Sequence, residues 1–251
     1  MAAILNIVIG LVTSVLSGGS VWLWDRGKNI RVVRRKAAFF GLKPGGTCLI
    51  VMNNKYNKVG STHHHDVHAM IEVATLANDT GTRIAVESCN DFHGSNGDRT
   101  EFCIGGPTAG SNPRTGGHLA SHVPGVTICP YDPARSDSLA FEVGGRQFLW
   151  DRGNEEYALV AKFTPPGSSR PVIVISGQTS ITNRAAIHFL KSQYRTLSKV
   201  IESIDQFCIV VRVTSIGTYG YQAAELASDV SAAAFADHRH PSTTPGNSSQ
   251  V

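Results

Sequence analysis

Short apolar runs recur along the chain, several of them closed by glycine, asparagine or serine. Residues 48–52 and 172–175 are continuously apolar, which suits strands buried on both faces of a parallel sheet, and 207–213 reads as the last clear strand. Residues 83–88 and 101–104 read as further strands and 126–129 as another short one. Between these runs the period changes. Val67, Met70, Ile71, Ala74 and Leu76 or Ala77 fall at helical spacing within 66–77, and residues 78–81 close that helix. A short helix is expected around 116–122. A longer one over 182–197 carries Ala186, Phe189, Leu190, Tyr194 and Leu197 on one stripe, with caps available in 179–183. Residues 141–150 alternate about Gly144-Gly145, the signal of a tight hairpin, and 157–163 continue as strand. The alanine-rich stretch 221–235 fits either a helix or an edge element. The pattern predicts one Rossmann-like or flavodoxin-like three-layer α/β domain over 45–235, mostly parallel, with an antiparallel hairpin insertion.

The amino-terminal pattern is different. Residues 2–24 contain no charged side chain, and as a helix they would reach roughly 30 Å, the depth of a bilayer core. Trp22 and Trp24 stand where indoles favour the headgroup layer, and Arg26, Lys28, Arg31, Arg34, Arg35 and Lys36 follow. A single-pass transmembrane helix over 1–25 is expected, then a basic juxtamembrane linker over 26–44 and a cytoplasmic domain at the cell membrane. A secretory signal peptide and a helix packed on the domain are the competing readings; the first lacks the usual basic residues before the apolar run. Ser17, Gly18, Gly19 and Ser20 would let helices approach closely, so a homo-oligomer is one expectation. Residues 236–251, rich in Ser, Thr and Asn, read as a disordered tail.

Composition sharpens this picture in two places. With 41% hydrophobic and 17% charged residues, the chain can bury a core and is not disordered throughout. Its net charge of +4 looks like a nucleic-acid signature, but residues 1–36 supply +5 and the remainder sums to −1. The folded body therefore offers no charge argument for nucleic acid. The five cysteines, Cys48, Cys89, Cys103, Cys129 and Cys208, are odd in number and without motif spacing, as suits reduced thiols in a cytosolic domain.

Two loops follow apolar strands and precede helices, the place where open α/β sheets bind ligands. In residues 105–115, Gly105 and Gly106 permit close backbone approach, and Asn112, Arg114 and Thr115 suit an anion or a ribose. In residues 176–183, Ser176, Gly177, Gln178 and Thr179 would offer N–H groups and hydroxyls at a helix start. Neither loop is a Walker loop or a Gly-x-Gly-x-x-Gly fingerprint, and both also read as ordinary turns and caps. The expected ligand is a nucleotide-like or phosphorylated small molecule; no particular cofactor is indicated.

Ile104-Gly105-Gly106-Pro107, Asn112 and Thr115, with Val174-Ile175-Ser176-Gly177-Gln178-Thr179 and Arg184-Ala185-Ala186, resemble a prokaryotic, membrane-anchored α/β domain of actinobacterial hypothetical proteins. The resemblance spans residues 45–215. More distantly, the chain looks like the Rossmannoid sensor domains related to TIR and to lysine-decarboxylase-like nucleotide binders. That likeness implies a ligand-sensing domain tethered to a membrane helix. The Pro-Gly-Gly-x-Gly-Thr-x-x-Glu signature of the decarboxylase-like group is absent, so their phosphoribohydrolase chemistry does not carry over.

Histidine is concentrated at His63, His64, His65 and His68 and again at His118 and His122. If both helix starts met, His65, Asp66, His68, His118 and His122 would suit a zinc-like ion, although exposed histidines at helix starts are commoner than ligands. For catalysis, Glu72 and Glu101 are the candidate carboxylates in an enzyme that cleaves an N-glycosidic bond of a nucleoside or NAD. Each also reads as an ordinary ion-pair or solvated residue. A scaffold without ligand is the third reading.

Overall fold

The computed structural model describes Trp24 and residues 26–55, 58 and 60–236. The expected membrane helix over 1–25, apart from Trp24, and nearly all of the expected tail lie outside the described residues. No helix among the described residues is long and apolar enough to cross a membrane.

Helix α1 covers residues 26–39. It corrects the expectation of a linker over 26–44, because Ala37, Phe39, Phe40 and Leu42 are buried in the core. The Phe39 ring stacks on Phe207 with centroids 5.6 Å apart and meets Phe40 edge-on at 5.0 Å. A buried lysine finishes this docking. Lys162 Nζ donates to Phe39 O at 2.8 Å and to Ile204 O at 2.6 Å, and burial lowers its pKa to about 8. The domain therefore begins before residue 45, since the carboxyl half of α1 belongs to its core.

The remaining elements are β1 (Thr47–Met52), α2 (His64–Asp79), β2 (Arg83–Ser88), β3 (Thr100–Ile104), α3 (Pro113–His122), β4 (Val126–Ile128), β5 (Phe141–Val143) and β6 (Arg146–Phe148). They continue as β7 (Glu155–Phe163), β8 (Val172–Gly177), α4 (Ser180–Val200), β9 (Phe207–Thr214), α5 (Ile216–Tyr219), β10 (Ala224–Asp229) and α6 (Ser231–Ala234). Seven strands form one sheet in the order β10-β9-β7-β8-β3-β1-β2. Strands β2, β1, β3 and β8 are mutually parallel neighbours. Strand β7 runs antiparallel between β8 and β9, which restores β9 to the common direction, and β10 closes the edge antiparallel. The sheet is thus mostly parallel in direction, as expected from its continuous apolar runs.

The two faces bury different partners. Cys48, Ile50, Phe102, Ile104, Ile173 and Ile175 pack with α1, α2 and α4, while Leu49, Val51, Cys103, Val172 and Val174 pack with Leu119 of α3 and with Phe141, Val143 and Phe148. Alternation along each strand divides the two cores. The hairpin about Gly144-Gly145 forms as expected, with both residues at positive φ (59° and 74°). It does not join the main sheet. With β4 it makes a separate three-stranded sheet in the order β4-β5-β6. The undecided stretch 221–235 resolves into edge strand β10 and the single-turn α6.

Candidate functional site

The crossovers set the position of the site. Strand β1 passes through α2 to β2 on one side, whereas β3 leads through α3 toward β8 on the other, and α2 and α3 cover opposite faces. The chain therefore diverges between β1 and β3, the arrangement that opens a crevice at the carboxyl ends of parallel strands. A cavity of about 270 Å³ lies there. It is lined by Asn53, Asn54 and Lys55 after β1, by Gly106, Thr108 and Ser111 after β3, and by Gly177–Ser180 after β8. His63 and Asp66 from the start of α2, Asn183 from α4 and Leu139 complete it.

Close packing at this edge explains two glycines. Gly105 has φ +104°, and a Cβ there would lie 2.5 Å from Asn53 Nδ2. A Cβ on Gly177 would meet Thr182 Oγ1 at 2.3 Å and Asn183 Oδ1 at 2.8 Å. Asn183 is the reason for the second constraint: its Oδ1 accepts the Gly177 N–H at 2.6 Å while its Nδ2 donates to Asp66 Oδ1 at 2.8 Å. One amide thus ties the end of β8 to the start of α2. Gly177→Ala is expected to destabilise the fold by about 1–3 kcal/mol by displacing that amide. Urea denaturation measures it, and a loss under about 0.5 kcal/mol would mean that Asn183 yields freely.

The electrostatics of the cavity are mixed. Asp66 is 1% exposed. Burial raises its pKa to about 6, and hydrogen bonds from Asn183 and Asn53 pull it back only in part. Burial, His64 and Lys55 lower the pKa of His63, which favours the neutral ring, and its Nδ1 lies 2.8 Å from Ser180 Oγ, within hydrogen-bond distance. Asn53 Oδ1 is buried without a protein partner at the rim.

The two expected loops do share this cavity, through Gly106 on one side and Gly177, Gln178 and Thr179 on the other. Several of their side chains serve the scaffold. Gln178 Nε2 donates to Leu139 O and Phe148 O at 3.1 and 3.0 Å, and its Oε1 accepts the Tyr157 N–H at 2.7 Å. Thr179 caps α4 and its hydroxyl donates to Glu156. Asn112 corrects its expected role: it is fully buried, donates to Ile104 O at 3.1 Å and accepts the Thr115 N–H at 3.1 Å as the cap of α3. Thr115 and Ser176 are buried and do not line the cavity.

Arg114, Glu101 and Glu72 also fall elsewhere. Glu101, fully buried on β3, accepts Arg114 Nε and Nη2 at 2.5 and 2.6 Å, with His118 Nε2 at 3.0 Å and Cys103 Sγ at 2.9 Å. Burial alone would raise its pKa, but those hydrogen bonds outweigh it and hold the carboxyl at about 2. Glu72 faces α4, with Lys191 Nζ at 3.3 Å and Arg184 Nε at 3.8 Å. Neither glutamate reaches the cavity at the ends of β1, β3 and β8.

The joint histidine constellation fails for a topological reason: α2 and α3 lie on opposite faces of the sheet, so His65 and His68 cannot meet His118 and His122. The first of the three converging loops, which follows β1, is not among the loops expected from the sequence. Its signal was present, since Asn53-Asn54 break polar directly after a buried apolar strand. No protein-family model matches the chain, and no curated protein or solved structure shows significant similarity to it.

Proposed function

We propose that the domain is a binding or sensing module for a phosphorylated, nucleotide-like small molecule. One observation carries the reading: the loops after β1, β3 and β8 converge with the starts of α2 and α4 on one cavity where the crossovers diverge. Its chemistry suits two parts of such a ligand. Lys55 and the first turn of α4 favour a phosphate. Asp66 and the unpartnered Asn53 Oδ1 are acceptors for ribose hydroxyls. Attachment to the cytoplasmic face of the cell membrane through residues 1–25 belongs to the same proposal, supported by the basic and exposed residues Arg31, Arg34 and Arg35 on α1.

A second reading, cleavage of an N-glycosidic bond, is favoured by one feature. Asp66 is a buried carboxyl in the cavity whose raised pKa suits proton transfer near neutrality. It replaces Glu72 and Glu101 as the candidate group.

Thermal denaturation of the purified chain with nucleosides, nucleotides, NAD and inorganic phosphate separates these readings. At least one phosphorylated compound is expected to stabilise the protein by about 2 kcal/mol or more at saturation, and Gly177→Ala to remove the effect. No stabilisation by any compound would leave a ligand-free scaffold as the better account. Turnover of NAD or a nucleoside that disappears in Asp66→Asn would favour the enzyme.

A further inference from the structure

On the opposite face of the sheet, beneath α3, three different metal-binding side chains meet. Glu101 and Cys103 are two apart on β3 and so project to the same face, and His118 descends from the second turn of α3. Cys103 Sγ lies 2.9 Å and His118 Nε2 3.0 Å from Glu101 Oε1, and the three ligand atoms all fall within 4.8 Å of one another. Glu101 and Cys103 are fully buried, and the His118 side chain is 11% exposed.

We propose that Glu101, Cys103 and His118 form a site for one zinc-like divalent cation. An oxygen, a sulfur and a nitrogen ligand make the mixed donor set that zinc accepts, and three protein ligands leave a coordination position free. That position has an approach. A cavity of about 420 Å³ between α3 and the segment after β2 is lined by Cys89, Phe92, His93, Arg114, His118 and His122.

Arg114 holds Glu101 and competes for one of its oxygens, so its other attachments matter. Nη2 donates to Oε2 at 2.6 Å, Nη1 donates to Gly94 O at 2.9 Å, and the guanidinium lies 4.3 Å from the Phe92 ring centroid. These survive if a cation takes Oε1 from Nε. The arginine then orients the carboxylate from outside the ligand shell. Binding converts the Cys103 thiol to a thiolate and releases its proton to solvent, so uptake weakens as pH falls. The cavity beside this site shares no lining residue with the cavity at the ends of β1, β3 and β8.

Cobalt(II) titration of the full chain, first stripped with a chelator, tests the site. One equivalent should bind with a thiolate-to-cobalt charge-transfer band, and zinc(II) should displace it. Cys103→Ser should abolish the band, and His118→Gln should weaken binding at least about 10-fold. Absence of the band in the wild-type chain overturns the proposal, as does its survival in Cys103→Ser, which would assign it to another cysteine. If Cys103→Ser does not fold, His118→Gln decides: unchanged cobalt affinity overturns the site, and a tenfold loss supports it. The ligand titrations of the other cavity are unaffected by either result.

Discussion

Replacing Glu101 by alanine is expected to cost about 3–5 kcal/mol of folding stability in metal-free buffer. The magnitude comes from what is left behind. Arg114, with a side chain 12% exposed, would keep its charge without the carboxylate that accepts two of its N–H groups. His118 and Cys103 would lose the same acceptor. A buried pair of this kind is weak evidence of net stabilisation, because both ions have been taken out of water. The double replacement Glu101→Leu with Arg114→Leu should therefore recover much of the loss. Urea denaturation of the two variants measures both numbers. A single-variant loss below about 1 kcal/mol would mean that water reaches Arg114 and that the network is not dry.

Asp66→Asn should act in the opposite direction and depend on pH. The native pKa is raised from 3.8 to about 6, chiefly by burial, so between those values the folded protein holds a proton that the unfolded chain has released. Stability from this group is consequently greatest below pH 4 and falls as pH rises through about 6. The lost contribution is roughly 3 kcal/mol once both states are ionised. Asparagine carries no such penalty and can still accept from Asn183 Nδ2. The variant should match wild type near pH 3.5 and exceed it by up to about 3 kcal/mol at pH 7.5, measured by denaturation across pH. Equal stabilities at pH 7.5 would show that Asp66 is solvated. A residue that lowers stability in a cavity at the strand ends is the pattern expected where binding, rather than packing, fixes its identity. Loss of ligand-induced stabilisation in the same variant would join the two effects.

Much of this architecture was legible in the chain itself. The continuous runs 48–52 and 172–175 became β1 and β8 because unbroken apolar sequence is tolerated where both strand faces are covered, and 207–213, apolar but for Arg212, became β9. Gly144-Gly145 made its hairpin, since local conformational preference decides a two-residue turn. The apolar stripes of 66–77 and 182–197 lie within α2 and α4, which are longer, at 16 and 21 residues, because polar residues extend a helix without adding to its apolar period. The loops containing Gly106 and Gly177 follow apolar strands and line one cavity.

Spatial partnership was not legible. The composition of residues 26–44 suggested a solvated basic linker, yet Phe39 and Phe40 at its end meet Phe207 and Tyr194 from the far end of the chain. Asn112 and Arg114 carry groups suited to a ligand; the fold turns them to a helix cap and a buried ion pair instead. His118 was grouped with the α2 histidines by residue type, whereas the sheet separates them and sets it beside Glu101 and Cys103. Periodicity and turn chemistry are local, so sequence alone determined most of the elements and the edge of the sheet where the loops after β3 and β8 lie. Which polar side chains share a cavity depends on the face each crossover takes, and only the tertiary structure decided that.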